Sequence, residues 1–179
     1  MGFYFRLIYY SIVSRFTQIQ INAYSRVEST CRALPWRSDD FYALHNGAYF
    51  MYMDLVRWSF VAQVGFIPVA RKNKWFMVTG GQKIYYRRPI RIFSKFTVDF
   101  QHVYWDDTWF YAKHVFRVDG QVAAVGYVRT IVKSDSGNIP VSEVLKATHQ
   151  MCISPPMPEE IRAWIESELT VKEAIKAAS

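Results

Sequence analysis

The stretch from Gly47 to Gly65 constrains this chain more than any other. It has no internal proline and a glycine at each end, so it reads as a single helix of about five turns. Tyr49, Met51, Met53, Leu55, Val56, Trp58, Phe60, Val61 and Val64 cover nearly every side of it, and charge enters only at Asp54 and Arg57. A helix that is apolar all round has to be buried all round. A single domain achieves that by wrapping a sheet around the helix, which the rest of the chain must supply. Asp54 and Arg57, three apart, are expected to form an ion pair within that helix.

Four runs after the helix have strand character: Trp75 to Arg88, Phe93 to Trp105, Thr108 to Val118 and Gln121 to Lys133. The second alternates cleanly, with Phe96, Val98, Phe100, His102 and Tyr104 on one face. Asp106-Asp107 and Asp119-Gly120 each separate two runs by about two residues, and Asp-Gly is a strong signal for a tight hairpin, so the last three strands should form an antiparallel meander. Ahead of the helix, Val27 to Trp36 reads as a strand stopped by Pro35, and Arg37 to Asp40 as a polar loop.

The ends are helical. Phe5, Ile8, Ile12, Phe16 and Ile19 make one apolar stripe, either packed on the domain or lying in a membrane interface with Arg6 and Arg15 toward headgroups. Met1 to Phe16 falls short of the ~20 apolar residues a span needs and lacks a signal-peptide cleavage site. Ser134 to Asn138 is a polar turn, and Met151 to Pro158 is a proline-rich connector. A last helix opens at Pro158, with Glu159 and Glu160 in its first turn and Ile161, Trp164, Ile165 and Leu169 on one face. At 179 residues and 51% hydrophobic, one domain with a full core is expected. The order of helix, strand, buried helix and four antiparallel strands is that of an α+β hotdog fold, an antiparallel sheet wrapped around a central helix. The expected divisions are an N-terminal amphipathic helix over 1–24, a hotdog core over 25–135 and a C-terminal helical extension over 136–179.

The formal net charge of +7 favours anionic partners: nucleic acid, an acidic membrane surface or a phosphorylated ligand. Basic charge beside the aromatic run Trp105 to Tyr111 would suit single-stranded nucleic acid if those rings were exposed, but no nucleic-acid motif is present, and none is expected as a partner. Cys31 and Cys152 have no disulfide or zinc spacing, so no metal and a reducing compartment are expected.

Ser38-Asp39-Asp40-Phe41-Tyr42-Ala43-Leu44-His45-Asn46-Gly47-Ala48-Tyr49, followed by Met53-Asp54-Leu55-Val56-Arg57, resembles the signature of the 4-hydroxybenzoyl-CoA thioesterase-like branch of hotdog proteins. Tyr85 to Pro89, Trp105 to Tyr111 and Pro155 to Glu160 are similar to the group of thioesterase superfamily member six. The resemblance implies hydrolysis of an acyl-CoA thioester. It places the catalytic aspartate at Asp39, with Asp40 as the neighbour if the alignment shifts by one, and Asn46 at a position that is Asn or His in the branch. It puts the oxyanion hole at Gly47 and Ala48. It also implies a homodimer or dimer of dimers, with the site between subunits.

Helix-start amides are unpaired and sit at the positive end of the dipole, which suits a developing oxyanion. Asp39 would act as base on water or as nucleophile, Asn46 would orient water or the thioester oxygen, and His45 is either a substitute base or a loop histidine bonded to backbone. Asp39 could equally be a turn or capping residue. Tyr49, Arg87 and Arg88 are candidate substrate contacts, with Arg91, Arg71, Lys72 and Lys74 as further candidates for the CoA phosphates. No cofactor is expected beyond coenzyme A as part of substrate, and the carrier is CoA or acyl carrier protein. The expected location is the cytoplasm, with peripheral contact to the inner face of the membrane through residues 1–16. Arg37, Ala43 and His45 stand where close relatives often have Asp, His and Asn. These departures motivate the alternative of a non-catalytic hotdog protein that binds acyl-CoA, acyl carrier protein or lipid.

Overall fold

The computed structural model describes residues 21–39 and 42–178. Residues 1–20 of the expected N-terminal helix and Asp40 lie outside them, while residues 21–24, expected to end that helix, form a turn in which the Ser25 amide donates to the Asn22 carbonyl at 3.0 Å. Strand β1 (Val27–Arg32) leads through a single 3-10 turn at Pro35–Arg37 into a miniature hairpin, β2 (Ser38–Asp39) and β3 (Ala43–Leu44). Helix α1 (Asn46–Gln63) follows. The expected strand to Trp36 therefore stops four residues earlier, and the expected loop contains a paired hairpin.

Gly65 takes a left-handed φ of 79°, which ends the long helix and starts a second one, α2 (Phe66–Asn73). Arg71 and Lys72 occupy the last turn of α2, where positive charge suits the dipole, and Lys74 follows at its C-cap.

Strands β4 (Phe76–Tyr86), β5 (Lys95–Trp105), β6 (Phe110–Val118), β7 (Gln121–Ser134) and β8 (Gly137–Ile139) complete the sheet. Its order is β1-β5-β6-β7-β4, all neighbours antiparallel, with β8 also paired to β7. The meander β5-β6-β7 is present as the hairpin signals predict. Asp119 and Gly120 both take positive φ, 48° and 75°, the mirror-image turn that matches strand twist. The Asp106 turn is longer than expected, spanning Asp106 to Trp109 between the two strands. The Asp106 carboxylate accepts from the Thr108 and Trp109 amides at 2.8 and 2.7 Å, which shapes this loop by a side-chain bond.

The sheet curls around α1. Tyr52 packs on Phe96 with ring centroids 4.9 Å apart and Phe60 on Phe100 at 4.6 Å. Met53 lies over Gly126, where any Cβ would come within 2.6 Å of its sulfur, so the glycine lets the helix settle onto the strand. Phe60, Phe96, Phe100 and Phe116 are fully buried, each worth about 1.5–3 kcal/mol of transfer free energy. Arg57 is buried too, its Nη2 donating to Asp54 at 2.7 Å as the spacing predicts.

The opposite face of the sheet carries α4 (Glu159–Ala178), reached from the short helix α3 (Val141–Ala147). Ile161 and Trp164 of α4 pack with Tyr111 and Tyr127, while Leu169, expected on the same face, is 56% exposed. Trp109 crosses the sheet at Gly80, where a Cβ would meet its ring at 2.2 Å. Arg129 stacks on that ring at 4.6 Å and pairs with Glu168. The Trp105 to Tyr111 aromatics are thus mostly interior: Trp105, Phe110 and Tyr111 are all buried, which removes the stacking platform a single strand would need.

Candidate active site

The site forms where the β2-β3 hairpin hands over to α1. Ser38 pairs with Leu44 and Asp39 with Ala43, and the His45 amide donates to the Arg37 carbonyl at 3.1 Å. The loop after β4 holds this hairpin from the other side. The Leu44 amide donates to the Ile90 carbonyl at 2.9 Å, Ala43 bridges Arg91, and the Ile92 amide donates to the Tyr42 carbonyl at 3.0 Å. The Arg91 guanidinium lies 5.4 Å from the Tyr42 ring centroid. Tyr49 anchors the same corner from below. It is buried, packed against Phe116 and Tyr86, and burial raises its phenol pKa, opposed by a hydrogen bond with the Ile90 backbone.

Asp39 is exposed, and among the described residues its carboxylate has no hydrogen-bond or ion-pair partner. It does not cap α1. That role belongs to His45, whose Nδ1 accepts from the Ala48 amide at 3.1 Å. A ring nitrogen accepts with its lone pair, so Nδ1 is committed to the helix start. Of the two roles weighed for His45, the structure shows the backbone-bonded one, and the lone pair a general base would need is occupied.

The same contact changes the oxyanion assignment. The Ala48 amide also donates to the His45 carbonyl at 2.9 Å, and Ala48 is fully buried, so this amide is already satisfied. The Asn46 and Gly47 amides have no partner among the described residues, and both residues are exposed. The donors open to solvent therefore lie one position earlier than Gly47 and Ala48. Gly47 also makes room for the cap: a Cβ there would stand 3.2 Å from His45 Nδ1.

The candidate substrate contacts separate by position. Arg87 and Arg88 are exposed at the end of β4, their amides donating to the Ala123 carbonyl, and Arg88 bonds the Gln121 side chain. They begin the loop that carries Ile90 and Arg91 past the hairpin, so Arg87, Arg88 and Arg91 belong to this end of the molecule. Arg71, Lys72 and Lys74 sit beyond the opposite end of α1, about 27 Å along an 18-residue helix. One phosphate group cannot reach both sets. Tyr49, expected to touch substrate, is interior and shapes the corner from within.

Sequence reasoning missed the hairpin, because two-residue strands carry no periodicity. It also missed α3, although Val141, Val144 and Leu145 show the helical spacing that would have revealed it. Among the described residues no cluster could hold a metal ion, and no helix is long and apolar enough to cross a membrane.

A curled antiparallel sheet around a central helix, with its candidate site at the helix start, defines a hotdog thioesterase-like fold. Residues 34–165 match the family model of the thioesterase-like superfamily, and the chain belongs to that family. It is 30% identical over 126 residues to Protein THEM6 of Drosophila melanogaster, a match covering 69% of this chain and 63% of the fly protein, so it spans somewhat under two thirds of that relative. Among solved structures it is similar to YbaW, a probable thioesterase from Escherichia coli, with a TM-score of 0.63 at 16% identity over 70% of this chain and 98% of that one. It is also similar to BH1999 gentisyl-coenzyme A thioesterase, with a TM-score of 0.61 at 16% identity over 67% and 99%. At those identities the two structures speak for the fold.

Proposed function

We propose that this protein hydrolyses an acyl-CoA thioester to the free acid and CoA. The observation that carries the reading is the juxtaposition, at one corner, of an unpaired carboxylate on Asp39 and the unpaired first amides of α1. Family membership adds the class of chemistry, and the gentisyl-CoA enzyme of the same fold acts on such a thioester.

In this reading Asp39 takes a proton from water as the water oxygen bonds to the thioester carbon. The carbonyl oxygen becomes an oxyanion received by the Gly47 amide, assisted by the positive end of α1. Collapse of that intermediate breaks the carbon–sulfur bond, and CoA leaves as thiolate, which is then protonated. Direct attack by the carboxylate would give an anhydride that water opens to the same products. Asn46, exposed beside Gly47, orients the water or the carbonyl. Arg87, Arg88 and Arg91 face the CoA phosphates. Two copies joined along an exposed edge would close the site: β4 is such an edge, with Phe76, Tyr85 and Tyr86 exposed on it.

Release of CoA thiol from short, medium, long and aromatic acyl-CoAs, wild type against Asp39→Ala, tests the proposal. Loss of a general base should lower kcat by about 10²–10⁴-fold with KM little changed. No turnover on any substrate would overturn it and favour the second reading, a ligand-binding protein. The His45 cap, which occupies one helix-start amide, is the observation on that side.

A further inference from the structure

A second site lies away from the hairpin corner, and it starts from an oddity of the core. The chain buries an arginine in its central helix, with the Arg57 side chain only 7% exposed. Its one carboxylate partner, Asp54, is 38% exposed and takes Nη2 alone. Nε and Nη1 are buried with no partner among the described residues. Leaving guanidinium N–H groups unpaired in an apolar interior is costly, so an arrangement that does so calls for an acceptor.

Among the described residues, the histidines that feel the Arg57 charge are His102 and His114. Burial holds His102 down at about 4, and burial together with the Arg57 charge holds His114 at about 3, so both are neutral.

Arg57 lines a cavity of about 50 Å³ between the second half of α1 and the sheet. The wall is mostly apolar, with Phe60, Val61, Val132, Val144 and Leu145 contributing. Its other polar side chains are largely committed to backbone. His102 Nδ1 lies 3.3 Å from the Ala23 carbonyl, Thr148 Oγ1 donates to the Val144 carbonyl at 2.9 Å, and Gln150 Oε1 accepts from the Ala23 amide at 2.8 Å. One cation with spare donors in an apolar chamber is the chemistry of a site for an amphiphilic anion. At about 10–15 Å³ for each water-sized position, the space takes only about four non-hydrogen atoms.

We propose that this cavity binds a short-chain carboxylate of acetate or propionate size, with its charge on Arg57 and its alkyl end among the valines and leucine. No residue of the chamber belongs to the hairpin corner, and Arg57 lies ten residues beyond Gly47 on α1, about 15 Å along the helix. The carboxylate is either a free metabolite or a reaction product occupying a place apart from where it formed. The site does not depend on the catalytic reading.

The test is thermal unfolding of the full chain in sodium propionate against sodium chloride at equal ionic strength, with neutral propionamide and longer octanoate as further arms. Wild type should show a saturable rise of about 3–5 °C at ten times Kd with propionate and none with propionamide. Asp39→Ala should keep that rise. Arg57→Met and, independently, Val144→Phe should abolish it. Asp54 is 38% exposed, so Arg57→Met leaves its carboxylate to water and not buried without a partner, and the variant is expected to fold. A rise that survives both cavity substitutions, a rise lost in Asp39→Ala, or no rise at all would each overturn the proposal. A rise with octanoate alone would overturn the size assignment. None of these readouts requires turnover, so this proposal and the thioesterase reading fail separately.

Discussion

Gly47→Ala separates the two jobs of the α1 start, and its outcome can be worked from the geometry. The added Cβ would stand 3.2 Å from His45 Nδ1 and 3.3 Å from Cε1, so the ring must retreat by a few tenths of an ångström. The bond it would disturb is the 3.1 Å contact that caps the Ala48 amide. Losing an N-cap costs typically about 1 kcal/mol. Alanine in a helix gains up to about 1 kcal/mol over glycine, less in the first turn. The two nearly cancel, so the unfolding midpoint should move by no more than about 3 °C.

Catalysis has no such compensation. The methyl group stands beside the amide assigned to the oxyanion, where close approach depends on glycine. Losing one such donor costs about 2.7–4 kcal/mol, or 10²–10³-fold in kcat. Thermal unfolding and CoA-thiol release on the same preparation read both quantities. An unchanged kcat would refute the assignment of the Gly47 amide. A fall in kcat accompanied by a midpoint drop beyond about 6 °C would show that the cap supports the whole domain and that the cancellation is miscounted.

Three further outcomes follow from other contacts. Gly80→Ala drives a methyl group into the Trp109 ring and displaces the Arg129 stack, so overpacking of about 1–3 kcal/mol and a lost cation–π contact of about 0.5–2 kcal/mol should lower the thermal midpoint by roughly 3–20 °C. Stability should fall in acid. His102 and His114 stay neutral in the fold down to about 4 and 3, whereas in the unfolded chain they take up protons below about 6.5, so the unfolded state binds more protons and each histidine removes about 2 kcal/mol between pH 7.5 and 5. Urea titrations across that range should show the slope, roughly halved in His114→Asn. Arg87→Ala should raise KM for acyl-CoA several-fold with kcat little changed, while Arg71→Ala, at the far end of α1, should leave both unchanged in the same steady-state assay.

Much of this architecture was written in local patterns. A helix apolar on every side has only a few ways to be buried, and the Gly47 to Gly65 run therefore announced a wrapped sheet. The Asp119-Gly120 turn and the alternation of Phe96, Val98 and Phe100 set a hairpin and a core face by backbone twist and strand period, properties that residues a few positions apart express together. The family signature around Asp39 pointed to the start of that helix, where the first amides are unpaired among the described residues.

What only the tertiary structure decided depends on residues distant in sequence. Arg87 and Arg71 are both basic residues near the end of an element, and nothing local to either tells which lies at the hairpin corner; the path of β4 along β7 does. His45 and Ala48 are three apart, yet whether the imidazole serves as base or cap depends on the backbone angle that the hairpin and the Ile90 loop impose. Gly80 and Trp109 meet, and Arg57 comes to border an apolar chamber, because sheet register and helix packing bring together surfaces that sequence spacing does not relate. Local propensity acts over one or two turns, while a site is a set of distances between elements, and those distances exist only once the core has closed.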